Sequence, residues 1–103
     1  MNFKVLVITD RSDYWFDYFR EGLYDFCIIS RSSGDIKAKN GFFSAKIRRN
    51  YNDGMRGYDP DKIIFDKDVS VEDFCSISAL LGHRKRIVFT KNSTRQSVYV
   101  EEI

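Results

Sequence analysis

Apolar residues in this chain fall into short runs and periodic stretches separated by polar turns. Phe3, Val5, Leu6, Val7 and Ile8 make the first run. Its β-branched and large side chains predict a strand over 3–9. Asp10, Arg11 and Ser12 interrupt the run, and Ser12 or Asp13 is suited to cap a helix. Trp15, Phe19, Leu23 and Phe26 then recur at steps of four, four and three, which predicts a helix over 13–26. Tyr14 and Tyr18 flank its apolar face, while Asp17, Arg20 and Glu21 suit a wet one. Gly22 weakens that helix by about 1 kcal/mol relative to alanine. Cys27, Ile28 and Ile29 predict a short second strand, closed by serines and Gly34.

From 35 to 49 the period changes to two. Ile36 and Ala38 alternate with Lys37 and Lys39, and Phe43, Ala45 and Ile47 alternate with Ser44, Lys46 and Arg48. Asn40-Gly41 between them is a strong hairpin signal, because a type I′ turn needs positive φ at both central residues. The pattern predicts a β-hairpin with one apolar and one basic face. Residues 50–59, dominated by Asn, Asp and Gly, read as loop, with Tyr51 and Met55 isolated in it. Ile63, Ile64 and Phe65 then form a short apolar run that ends in Asp66. Ser70 and Asp73 make a capping-box-like pair before a second helix, with Phe74, Ile77, Leu80 and Leu81 as its apolar face and Gly82 as its stop. Ile87, Val88 and Phe89 predict another strand over 86–90, and 97–103 reads as a last edge strand.

Helices between apolar strands imply an α/β fold: a small Rossmann-like three-layer domain, mostly parallel, with the antiparallel hairpin as a protruding insert. At 103 residues the chain holds one domain, 1–103, with a single modest core. A composition 43% hydrophobic and 31% charged is that of a folded chain rather than a disordered one. No apolar run approaches the ~20 residues that span a bilayer, and the amino terminus lacks a signal-peptide pattern, so a cytoplasmic protein is expected. Cys27 and Cys75 sit in apolar contexts without C-x-x-C spacing and read as reduced, buried thiols.

The net charge is only +2, but residues 31–58 hold seven basic and two acidic side chains. Such a local field attracts polyanions or acidic protein surfaces. On the hairpin, Lys37, Lys39, Lys46, Arg48 and Arg49, with Arg56 beyond it, would form a ribbon of charge against nucleic acid or an acidic partner, and Tyr51 or Phe42 could stack on bases. The same residues also suit a solvated edge, where lysine blocks strand pairing.

Asp10, Asp66 and Thr90 should emerge on one rim if their strands run parallel. Asp10, Asp66 and Asp68 are then candidate oxygen ligands for Mg²⁺, the one cofactor the pattern admits, although aspartates also commonly end strands and cap helices. His83, beside Arg84, Lys85 and Arg86, suits a helix C-terminus. No nucleophile with an orienting base is visible, and neither G-x-x-x-x-G-K-[ST] nor G-x-G-x-x-G occurs.

Arg56-Gly57, Pro60-Asp61 and Ile63-Ile64-Phe65-Asp66 resemble the Walker B region of P-loop ATPases of the phage large-terminase type. The resemblance covers about a third of the chain. It implies the fold and a Mg²⁺-holding Asp66, but Lys67 stands where the family has a glutamate, so it implies no catalysis. Pro60 to Asp66 is also similar to the strand of response-regulator receiver domains that bears the phosphoacceptor aspartate. That second resemblance implies Asp66 as acceptor, Thr90 as switch hydroxyl and Asp10 as a metal ligand, although Arg11 replaces the second acid. The readings converge on a small, non-enzymatic accessory module, phage-encoded if the terminase-like turn is a guide. A Mg²⁺-dependent enzyme or phospho-switch on Asp10, Asp66 and Asp68 is the competing class. A structural subunit of a homo-oligomer, such as a homodimer paired through Val98-Tyr99-Val100, is a third.

Overall fold

The computed structural model describes residues 3–23, 27–30, 33–39, 41–50, 58–79 and 86–93. They form six strands and two helices: β1 (Phe3–Ile8), α1 (Ser12–Leu23), β2 (Cys27–Ser30), β3 (Asp35–Ala38), β4 (Phe43–Arg48), β5 (Lys62–Phe65), α2 (Val71–Ser78) and β6 (Ile87–Phe89). The strands make one mixed sheet in the order β2-β3-β4-β1-β5-β6. β1 lies at its middle, parallel to β4 on one side and to β5 on the other, and β6 runs parallel to β5. The β2–β3 and β3–β4 pairings are antiparallel.

The hairpin is therefore not a protrusion. Its second strand is an interior strand, in register with the whole of β1 from Phe3↔Phe43 to Ile8↔Arg48. The reason is apolar: Ala45 and Ile47 of β4 are buried, and a strand with such a face gains more by completing the sheet than by standing off it. The hairpin in turn carries β2 to the sheet edge, away from β1.

Alternation along β1 sorts the core. Val5 and Val7 pack with Trp15, Phe16 and Phe19 of α1 and with Ile36, Ala45, Ile47, Ile64 and Val88. Leu6 and Ile8 belong to a second cluster with Ile63, Phe65, Ile77, Ile87 and Phe89, against which Phe74 of α2 also packs. Because successive strand residues face opposite ways, α1 and α2 cover opposite faces of the sheet. The predicted α1 face is present at Trp15 and Phe19, and the equally buried Phe16 joins it. α2 starts as its sequence predicts, with the Ser70 side chain accepting from the Asp73 amide at 3.1 Å. Cys75, predicted to be packed, is exposed: Ile77 and Phe74 take the inward positions of this short helix. Among the described residues no helix is long and apolar enough to cross a membrane. The predicted strand at 97–103, and the expectations for Asn40, Tyr51, Met55, Arg56, Leu80, Leu81, Gly82 and His83, lie outside the described residues.

Candidate functional site: a saturated carboxylate and a basic sheet face

The polar rim is built by extending the strand ladders. Thr9 N donates to Arg48 O at 2.9 Å, Asp66 N to Ile8 O at 2.8 Å, and Thr90 N to Phe65 O at 3.0 Å. These bonds bring the ends of β1, β5 and β6 to one edge, as the sequence pattern predicts. The side chain of Asp66 is completely buried there. Its Oδ2 accepts from Thr9 Oγ1 (2.7 Å), Arg11 Nε (2.8 Å) and Trp15 Nε1 (2.9 Å). Its Oδ1 accepts from Arg11 Nη2 (3.1 Å), Asn92 Nδ2 (3.0 Å) and Thr90 Oγ1.

A carboxylate offers about four lone-pair directions, so these donors saturate it. Burial pushes the Asp66 carboxyl up, but the hydrogen bonds from Arg11, Thr90, Trp15 and Thr9 outweigh burial and hold it well below the usual carboxylate range. The bond to Asp66 likewise raises Arg11 above the ordinary guanidinium value. Arg11 also lies over the Tyr14 ring, its Cζ 4.0 Å from the centroid.

The crevice between β1 and β5, from which α1 and α2 leave to opposite faces, is where open α/β sheets usually seat a ligand. Here Arg11 and Asp66 fill it. The three predicted metal ligands are not brought together. Asp66 faces protein donors. Asp10 is exposed, bonded by Lys67 Nζ at 2.9 Å and faced by Arg49 Nε at 3.4 Å. Asp68 is exposed two residues beyond Asp66. Among the described residues no three His, Cys, Asp or Glu side chains are grouped to hold a metal.

The basic residues divide into two groups. Ser44, Lys46 and Arg48 lie opposite Lys4, Leu6 and Ile8 of β1, and Asp35 and Lys37 of β3 pair with Lys46 and Ser44. Strand alternation therefore puts Lys4, Lys37, Lys46 and Arg48 on the α2 side of the sheet. The α2 cluster holds no residue of β3 or β4, so none of the described helices covers this half of the face. Lys37 is exposed on it, and Lys39 is exposed at the turn that follows.

Tyr58 anchors the face, its hydroxyl donating to Val5 O at 3.0 Å. The ammonium groups of Lys4 and Lys46 lie 5.9 and 5.1 Å from the centre of its ring. Burial pushes the Tyr58 phenol up to about 12, against a smaller opposing effect of a hydrogen bond with Ser44. Arg48 is held in place: Nη1 donates to Gly34 O (2.8 Å) and Ile47 O (3.0 Å), and Nη2 to Asp35 Oδ1 (2.9 Å). Arg49, one residue on, turns to the rim beside Asp10.

Sequence reasoning missed Lys4, Tyr58 and the polar role of Trp15; it placed Arg11 near the rim but not as the ion-pair partner of Asp66. The signal for Trp15 was available, since a buried indole N–H needs an acceptor. A cleft of about 260 Å³ also opens at the rim, lined by Asp10, Ser12, Ser33, Gly34, Arg48 and Arg49, with Phe16 and Ile47 as apolar wall. No family model, curated protein or solved structure matches this chain.

Proposed function

We propose that this chain is a non-enzymatic binding module of Rossmann-like, three-layer design, working in the cytoplasm, that engages nucleic acid through the basic face of its sheet. The observation that carries the reading is the placement of Lys4, Lys37, Lys46 and Arg48 on one half-sheet face that none of the described helices covers, with Lys4 and Lys46 over Tyr58 and a single acid of β3, Asp35, paired with Lys46 and Arg48. A sheet face with cations on neighbouring strands suits the phosphates of an extended strand, and the contact requires no base-specific groups. The saturation of Asp66 favours binding over catalysis, because a carboxylate already engaged by Thr9, Arg11, Trp15, Thr90 and Asn92 is poorly placed to accept a metal or a phosphoryl group.

Fluorescence anisotropy with single-stranded and duplex oligonucleotides tests the reading. The wild type should bind with an affinity that falls as salt rises, log K declining by about 0.7 per strand phosphate engaged for each decade of salt. Lys37→Glu combined with Lys46→Glu should weaken binding at least about tenfold and flatten that slope. A folded double variant that binds as tightly as wild type would overturn the proposal. Retention of a poly-glutamate probe in place of every oligonucleotide would reassign the face to an acidic protein partner.

A further inference from the structure

We propose that the rim cleft beside β1 and β4 is a separate site, for a phosphomonoester dianion. Shape, charge and rigidity each support it. Its volume of about 260 Å³ exceeds a lone phosphate and admits part of an attached sugar or other small group. Its lining includes Arg48, Arg49, Ser12 and Ser33, the Ser33 hydroxyl donating to Ser30 Oγ at 2.7 Å, with Phe16 and Ile47 to meet the carbon skeleton of a ligand. Planar guanidinium groups suit a tetrahedral dianion because two N–H groups can meet two oxygens at once.

Arg48 is already paired with Asp35 at 2.9 Å, and the one acid in the wall leaves Arg49 available. Asp10 is bonded more closely by Lys67, at 2.9 Å, than by Arg49, at 3.4 Å, so Arg49 can turn to an incoming anion while Asp10 keeps a cation. Arg49 is 72% exposed and free to make that turn. Arg48 is the fixed element. It is locked to Gly34 O, Ile47 O and Asp35, and it has this seat only because residue 34 is glycine. A Cβ there would stand 2.4 Å from Ile47 O and 2.6 Å from Arg48 Nη1. A positive group held at the wall before the ligand arrives loses little freedom on binding. The location fits the sheet as well: the usual crevice between β1 and β5 is filled by Arg11 and Asp66, and the open one lies next to it on the same carboxyl rim.

This site shares Arg48 with the basic face, so its test uses Arg49 and Lys37, each of which belongs to only one of the two. The probes are inorganic phosphate, a nucleoside 5′-monophosphate, and one oligonucleotide with and without a 5′-phosphate, each titrated into the full chain and followed by backbone amide shifts. Saturable shifts centred on Thr9, Asp10, Ser12, Gly34 and Arg49 are expected. Arg49→Gln should weaken phosphate binding about tenfold, the loss of one charge-assisted contact, and Arg49→Lys should restore part of it. Lys37→Glu, on the other surface, should leave phosphate affinity unchanged. A 5′-phosphate that tightens oligonucleotide binding identifies a strand end as the source; monophosphate binding without that gain identifies a small molecule. The absence of saturable shifts at the cleft with every probe, or an Arg49→Gln variant that binds phosphate like wild type, would overturn the proposal.

Discussion

At the scale of single residues, Asp66 has the greatest leverage. Its carboxylate is buried and charged, and five side chains orient their donors around it. Asp66→Asn should destabilise the fold by about 3 kcal/mol, since it leaves Arg11 without its counter-charge and turns an amide N–H₂ toward other donors. The pH dependence has a definite sign. The native carboxyl titrates below its unfolded value, so its stabilisation is complete above the unfolded value near ~3.9 and is lost as pH falls below it. Urea unfolding from about pH 7 to about pH 2 should therefore show a steep acid limb in wild type and a shallower one in Asp66→Asn. An equally steep limb in the variant would assign acid lability to other carboxylates. The sequence made Asp66 visible as an acid at a strand end and put Thr90 on the same rim, but it did not reveal the hydrogen bonds that converge on Asp66. Its partners lie 24 to 57 positions away in the chain, and although parallel strands bring their ends to one edge, no local pattern encodes which side chains there will bond.

Among the elements, the hairpin and its flanking turns show what alternation reveals and what it leaves open. The period of two in 35–49 identifies both strands and their apolar faces, because each residue's side is set by the chain itself. It does not say which neighbour β4 chooses, since both edges of a strand offer the same backbone groups. The choice of β1 follows from burial that only the assembled sheet provides. Two glycines in this region separate backbone strain from crowding. Gly34 and Gly41 both have positive φ, at 73° and 77°. Around Gly41 nothing lies within 4 Å of an added Cβ, whereas at Gly34 that atom would meet Ile47 O and Arg48. Gly41→Ala should cost about 1 kcal/mol, the strain of the left-handed conformation alone. Gly34→Ala should cost about 2–3 kcal/mol and displace Arg48 as well. Equal losses in thermal melts would mean that the Arg48 seat adds nothing to stability.

For the whole molecule, the two hydrophobic clusters share one strand. Leu6 and Val7 are adjacent in β1, fully buried, and face opposite clusters. Leu6→Ala should cost about 2–5 kcal/mol. Unfolding should nevertheless remain a single transition, with far- and near-ultraviolet circular dichroism coincident, because losing either cluster releases β1 from both. Separated transitions would show that the two faces melt independently. The shared strand was legible in the first apolar run, since unbroken apolar residues mark a strand covered on both sides.

The wiring around Asp66 also bears on the order in which the protein can be made. A ribosome releases Thr9, Arg11 and Trp15 long before it reaches Asp66, and Asp66 before Thr90 and Asn92. β1 likewise emerges before either of the strands that flank it, β4 and β5. Contacts of such long sequence separation close slowly. During synthesis, then, the most apolar segment of the chain waits with both edges open. The arginine and tryptophan waiting beside it find their acceptor only when Asp66 arrives.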